Sequence, residues 1–293
     1  MIPKNKINKK LLIAVLLIII PLTSVDCQQT TGSNIFSSKN RLRFGNYLYK
    51  DKDYLRAADE FKVYLKSVYN DTIVFRLANS YFKIGRYTEA VDNFKGLFFG
   101  STFSEESRLM FYESIFFRND YKSLREFTDD KIYTSTKYSN AIERLKYTSY
   151  FLDNSILPNE NIVLKNFPDS VQTQLLNFYQ QKKFPQYKSL TTAAILSTLI
   201  PGAGKIYTGE VGDGITSLIA TALTTYLAIS NFKADHQFRG WLFSGLAAFF
   251  YAGNIYGSAA SAQIYNARIQ FNFDKEVKLF FEQRNYFLPK IDY

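Results

Sequence analysis

RFGNYLYKDKDYLRAADEF (43–61) and RLANSYFKIGRYTEAVDNF (76–94) are the two stretches that decide how this chain folds. Laid over one another at an offset of 33, Gly45 meets Ala78, Asn46 meets Asn79 and Lys50 meets Lys83. Tyr54 then meets Tyr87, Ala57 meets Ala90 and Phe61 meets Phe94. Self-similarity at a fixed period marks a repeated supersecondary unit. Gly45 and Ala78 are small where two helices must approach closely. Ala57 and Ala90 are small where the second helix crosses the first, and Phe61 and Phe94 fill the space beneath.

Leu77, Ala78, Tyr81, Gly85, Tyr87, Ala90 and Phe94 take the positions of the tetratricopeptide repeat, which this segment resembles. A third, degenerate copy continues with Tyr112, Ile115, Asn119, Tyr121 and Leu124, with Tyr112 large where the family is small. A further helix pair is expected near 138–153, with Ala141, Leu145, Thr148 and Leu152 on one face. The resemblance implies an α-helical solenoid over 38–155 that binds a protein or peptide partner and carries out no reaction. Asn46 and Lys50 lie four apart, on one helix face, and Asn79 and Lys83 repeat the pair. The resemblance implies that these four meet a bound peptide. Glu113 and Phe117 interrupt the ladder in the third copy, and Leu42 and Phe75 stand where a carboxylate clamp would want Lys. Ordinary solvated polar residues are the alternative.

The first ten residues carry four lysines, LLIAVLLIII (11–20) is unbroken apolar, and Pro21 opens a polar stretch. This order predicts a signal peptide over 1–27. Its apolar core is too short to span a bilayer comfortably. Cys27 sits where a lipoprotein carries its lipid, but Asp26 does not suit a lipobox. An ordinary cleavage site stays open beside lipidation. Both place the mature chain in the bacterial cell envelope.

Composition changes again near Lys188, after the amide-rich NFYQQKKFPQYK (177–188). From Ser189 to Ser230 the ionisable side chains besides tyrosines are Lys205, Glu210 and Asp213, and 240–265 has no charge. Two apolar stretches, about 215–230 and 240–260, are expected to cross the membrane as a hairpin. A hairpin buried in a soluble core is the alternative. Gly253-x-x-x-Gly257 predicts a close-packing face, and Trp241 an interfacial anchor. PGAGKIYTG (201–209) fails as a phosphate loop: Leu199 stands at the first glycine position and Ile206 follows Lys205. It fails as a dinucleotide fingerprint because Tyr207 replaces the last glycine. It resembles instead the PGxGQxYxG turn of small two-helix bacterial membrane modules of the TM2 type. Pro201, Gly202, Gly204, Tyr207 and Gly209 match, and Lys205 replaces Gln.

The formal charge is +10, of which residues 1–27 contribute +3. The sequence holds no block of five like charges and no nucleic-acid motif, so neither nucleic acid nor nucleotide is an expected partner. One Cys (Cys27) and one His (His236) leave little material for a metal centre, and no cofactor is expected. The 27 Phe and 22 Tyr recur at helical spacing and are expected to pack helices. The predicted order is a signal (1–27), repeats (38–155), a helical extension (156–188), a membrane module (189–265) and an amphipathic tail helix (266–293). Phe273, Val277, Phe280 and Phe281 form one stripe of that tail. The expected function is a membrane-anchored, non-enzymatic scaffold. A soluble adaptor is one alternative. A transporter or enzyme component is another, with Glu210 and Asp213 buried and carrying protons.

Overall fold

Thirteen α-helices and no strand make up residues 36–291, the part of the chain that the computed structural model describes. The expected signal and Cys27 lie outside the described residues. The described chain divides into two compact units, one ending at Phe103 and the other beginning at Ser104.

The first unit holds α1 (Ser38–Lys50), α2 (Tyr54–Leu65), α3 (Asp71–Lys83) and α4 (Tyr87–Lys95). The sequence period fixes these starts, since α1 and α3 begin 33 residues apart and so do α2 and α4. Side-chain oxygens of Ser37, Asp53 and Asn70 accept from the backbone N–H three residues on. They satisfy donors that a helix start otherwise leaves open. A Cβ on Gly45 would stand 2.8 Å from the Phe61 ring, so glycine is what lets α1 and α2 close on each other. Ala57, Ala78, Ala90, Phe61 and Phe94 are fully buried.

The second unit continues the period. α5 (Ser104–Phe117) starts 33 residues after α3, and α6 (Tyr121–Thr128) 34 after α4. α5 is buried at every position from Ser107 to Phe116. Tyr112 is among these, its ring beside Phe111 and its hydroxyl without a hydrogen-bond partner. Then come α7 (Ser139–Leu152), the short α8 (Glu160–Leu164) and α9 (Asp169–Lys183). Arg125 of α6 donates to Ser149, Asp153 and Ser155, tying α6 to the end of α7. Lys182 of α9 donates to the carbonyls of Tyr150, Phe151 and Asp153. That one ammonium thereby caps the exposed carbonyl end of α7.

The remaining helices are α10 (Leu190–Leu199), α11 (Ala203–Tyr207), α12 (Val211–Lys233) and α13 (Gln237–Glu282). α12 and α13 form an antiparallel hairpin through Ala234–His236. α13 has 46 residues, about 69 Å at 1.5 Å each. It runs through residue 265, where a separate tail helix was expected, because no Gly or Pro interrupts 258–288. The expected stripe is real: Phe273, Val277, Phe280 and Phe281 are all buried. Their rings meet Phe151 of α7, Phe167, and Phe178 of α9. Each buried phenylalanine contributes about 2–3 kcal/mol. A left-handed turn at Asn285–Phe287 then brings Tyr286 against Phe116 and Phe117 of α5.

The other end of α13 and most of α12 do the opposite and expose their apolar side chains, with Ile219 59% and Phe249 72% accessible. By length and composition α12 alone among the described helices can cross a membrane. The core helix of a soluble protein passes the same test but is mostly buried, whereas 17% of the apolar window of α12 is buried. The second expected span, 240–260, does not reach that measure. Tyr251, Asn254, Tyr256 and several glycines dilute its apolar content.

The hairpin turns of the repeated pairs each carry one residue with positive φ: Lys52 (63°), Gly85 (77°) and Asn119 (61°). Only glycine takes this conformation without cost, and a side chain there costs about 1–2 kcal/mol. Lys52→Gly is therefore expected to stabilise the first pair by about 1 kcal/mol, slowing hydrogen exchange in α1 and α2 about fivefold. Unchanged exchange would show that the turn is not strained. Burial alone would raise the Asp153 carboxyl, but Arg125 and the Ser155 bonds outweigh it and hold the group below its ordinary 3.8. Its stabilising contribution is therefore complete above that value and lost as pH falls through the lower folded-state value. Denaturant midpoints of the full chain should fall below about pH 4, and less steeply in Asp153→Asn. Equal slopes would remove this carboxylate from the acid response.

Candidate functional site

Two places carry the residues singled out in the sequence. The first is the face of α1 and α3. Asn46 Oδ1 accepts from Arg76 Nη1 at 2.6 Å, and Asn79 Nδ2 donates to the Tyr49 hydroxyl. Asn79 is buried and its Oδ1 has no partner. Burial also pushes the Tyr49 hydroxyl up, against the lowering effect of its bond with Asn79. The two asparagines thus bond α1 to α3 across 30 residues of sequence and are not a free ladder. Lys50 and Lys83 are exposed in the last turns of their helices. Phe44 and Tyr47, three apart on α1, are exposed beside Lys50, at 47% and 63%. Sequence reasoning missed this pair, because exposed aromatics share the helical period of buried ones.

The second place is the Pro201–Gly209 turn. α10 runs antiparallel to α13. Near its start Lys188 and Asn266 exchange backbone-to-amide bonds at 2.8 and 2.9 Å. Near its end the Tyr251 hydroxyl donates to the Thr198 carbonyl at 2.6 Å. The chain turns at Pro201–Gly202 and returns through α11, so that Thr208 meets Ser261 at 2.6 Å. Glu210 then lies 3.6 Å from Arg268.

Glycine is required three times in this turn, at Gly209 by its φ of 92° alone. Gly202 has φ 88°, and a Cβ there would stand 2.0 Å from the Gly214 carbonyl oxygen. A Cβ on Gly204 would stand 1.9 Å from the Ala193 carbonyl oxygen. The freed backbone donors find side chains. Gly202 N–H donates to Asn254 Oδ1 at 3.0 Å, and Gly204 N–H to Ser197 Oγ at 2.9 Å. Asn254 Nδ2 returns a bond to the Ser197 carbonyl, and Ser197 and Ser258 share a 2.6 Å bond. Asn254 and Ser197 were not singled out as sequence, and Ser258 was read only as a small residue of the Gly253–Gly257 face. The legible signal was a lone Asn inside an uncharged run.

Tyr207 stands at the mouth of the turn, where its hydroxyl accepts from Ser189 N–H and its ring lies 4.7 Å from Lys188 Nζ. Lys205 donates to Ser217 Oγ at 3.0 Å, its stem 3.3 Å from where a Gly257 Cβ would be. Gly257 therefore makes room for a lysine stem, while nothing lies within 4 Å of a Cβ on Gly253. The expected Gly-x-x-x-Gly packing face is not used as such. Neither carboxylate considered for proton transfer is buried: Glu210 faces Arg268 and Asp213 is exposed. His236 is exposed between α12 and α13. Among the described residues no cluster of His, Cys, Asp and Glu could hold a metal.

No family model matches the chain. No solved structure matches it either. The chain is 35% identical over 111 residues to the uncharacterised protein MJ1516 of Methanocaldococcus jannaschii. The match spans 38% of this chain and 84% of the archaeal protein.

Gly204→Ala is expected to force α10 and α11 apart and to destabilise the chain by about 3 kcal/mol or more. Gly253→Ala, in open space within a helix, should be neutral or stabilising by about 0.5–1 kcal/mol. Thermal unfolding of detergent-purified protein compares the two. The reverse order would mean that the turn is loose and the Gly253 face is packed.

Proposed function

The chain belongs to the family of that uncharacterised archaeal protein, and we propose that it is a membrane-anchored, non-enzymatic scaffold of the cell envelope. One observation carries this reading: α13 is a single helix whose first half exposes apolar side chains and whose last turns are buried under phenylalanines of α7 and α9. A soluble core explains the second half and lipid explains the first. No shorter helix could join the two environments as stiffly.

The belts of polar and aromatic residues support the placement. Phe232 and Trp241 pack together at one end of the hairpin. Tyr207, Tyr265, Lys188, Asn266 and Arg268 gather at the other. Trp241 and Tyr265 are 24 residues apart on α13, or about 36 Å, close to a hydrocarbon core with its two interfaces. Averaged composition counts Asn254, Ser258 and Ser261 against α13 as a span, yet these polar groups are turned inward and buried. In this reading α10 and α11 are a re-entrant excursion. Irregular backbone is tolerated at membrane depth where protein satisfies it, as Asn254 and Ser197 do here.

The 33–34-residue helix pairs are read as tetratricopeptide-like repeats that dock a protein partner. On the first unit, exposed Phe44 and Tyr47 with Lys50 and Lys83 suit a peptide that carries apolar and acidic side chains. Asn46 and Asn79 act here as braces that hold α1 on α3.

Alkaline carbonate washing of membranes, with protease added to spheroplasts, tests the anchor. The protein should stay in the pellet and lose its helical units to external protease. Release into the wash would end the membrane reading and leave a soluble adaptor. Retention with the helical units protected would reverse the orientation.

A further inference from the structure

A cleft of about 930 Å³ opens in the second unit, between the loop that follows α7, the end of α9 with the linker after it, and α13 near Ile269 and Phe273. This is toward the upper end of the 300–1,000 Å³ range of small-molecule sites. Its lining has an unusual chemistry. Asn154, Gln181, Gln186 and Asn272 border it, and none of these four carboxamides has a protein partner among the described residues. Phe184 and Tyr187 expose their rings along the linker. The lining carries Lys182 and Lys183 against Glu276, a formal charge of about +1, and neither ammonium is free to meet a ligand. Lys182 spends its three donors on carbonyls, and Lys183 is balanced by Glu276 across the cleft.

Unspent amides that can both donate and accept, beside exposed aromatic faces and with both ammonium groups already engaged, match a ligand of many hydroxyls and no formal charge. An anionic headgroup would find no free cation beyond Lys183, whose ammonium already lies over the Tyr179 and Phe184 rings. Depth narrows the source. Ile269 and Phe273 follow Tyr265 by four and eight residues on α13, about 6 and 12 Å beyond the interfacial belt. That is where headgroups sit outside the hydrocarbon core.

We propose that this cleft binds the uncharged, polyhydroxyl headgroup of a glycosylated membrane lipid. The inference rests on the membrane placement proposed above. The amides would hold the sugar hydroxyls, the rings would lie against the apolar faces of the sugar, and the acyl chains would continue along the exposed side of the hairpin.

The test uses the full chain extracted in a zwitterionic detergent that carries no sugar. Monoglucosyl diacylglycerol, phosphatidylglycerol and maltotriose are added in equal amounts, and native mass spectrometry counts what is retained. The glucolipid should be retained about tenfold over phosphatidylglycerol, and the Gln186→Ala/Asn272→Ala double variant should lose the excess. Both positions are exposed, so the variant is expected to keep the wild-type melting temperature. Retention of maltotriose with no preference for the glucolipid would support the hydroxyl chemistry and assign it to a free saccharide. Equal retention of the two lipids, an excess of phosphatidylglycerol, or an unchanged excess in the double variant would overturn the proposal. A chain that washes off membranes in carbonate yet retains glucolipid would sink the anchor and leave the cleft standing.

Discussion

α13 is buried at one end and exposed along the other, and its side chains change with that division. Phe273, Val277, Phe280 and Phe281 are buried by other helices. Phe249, Leu242 and Tyr256, farther up the same helix, are left in the open. Five other helices of the second unit gather on its two ends. α7 and α9 supply phenylalanines for one end, and α10, α11 and α12 gather around the other. Because the helix is continuous, whatever fixes one end also fixes the direction of the other.

The turn at Pro201–Gly204 shows the same economy at smaller scale. A chain that reverses against closely packed backbone buries donors away from water, and each would cost several kcal/mol if left open. Asn254, Ser197 and Ser258 answer those donors from within a few ångströms. The glycines let the backbones come close enough for those bonds to form. Polar side chains and glycines are therefore one device, and a sequence motif that records the glycines records half of it.

The first unit depends on packing that a repeat can encode. Gly45 against Phe61, and the fully buried Ala57 and Ala90, follow from the 33-residue period because each contact is made between neighbouring helices. Asn46 and Asn79 were equally legible as a repeated pair, but their role was not. Whether an asparagine faces a ligand or braces two helices depends on Arg76 and Tyr49, which lie 30 residues away and on the neighbouring repeat. The amides of the cleft are a similar case, since Asn154, Gln186 and Asn272 come from three separate stretches.

By itself the sequence determined the helical class, the 33-residue period of the first helix pairs, the apolar composition of α12 and the buried stripe at the end of α13. Each of these rests on local periodicity, caps or composition, which neighbouring residues express without help. The tertiary structure decided that α13 continues past residue 265, that Asn254 answers the turn, and that Asn46 and Asn79 are braces. It also decided that amides from α9, the linker and α13 share one cleft. These depend on which surfaces meet across 30 to 90 residues of chain, and pairwise contacts at that range leave no periodic trace in the sequence.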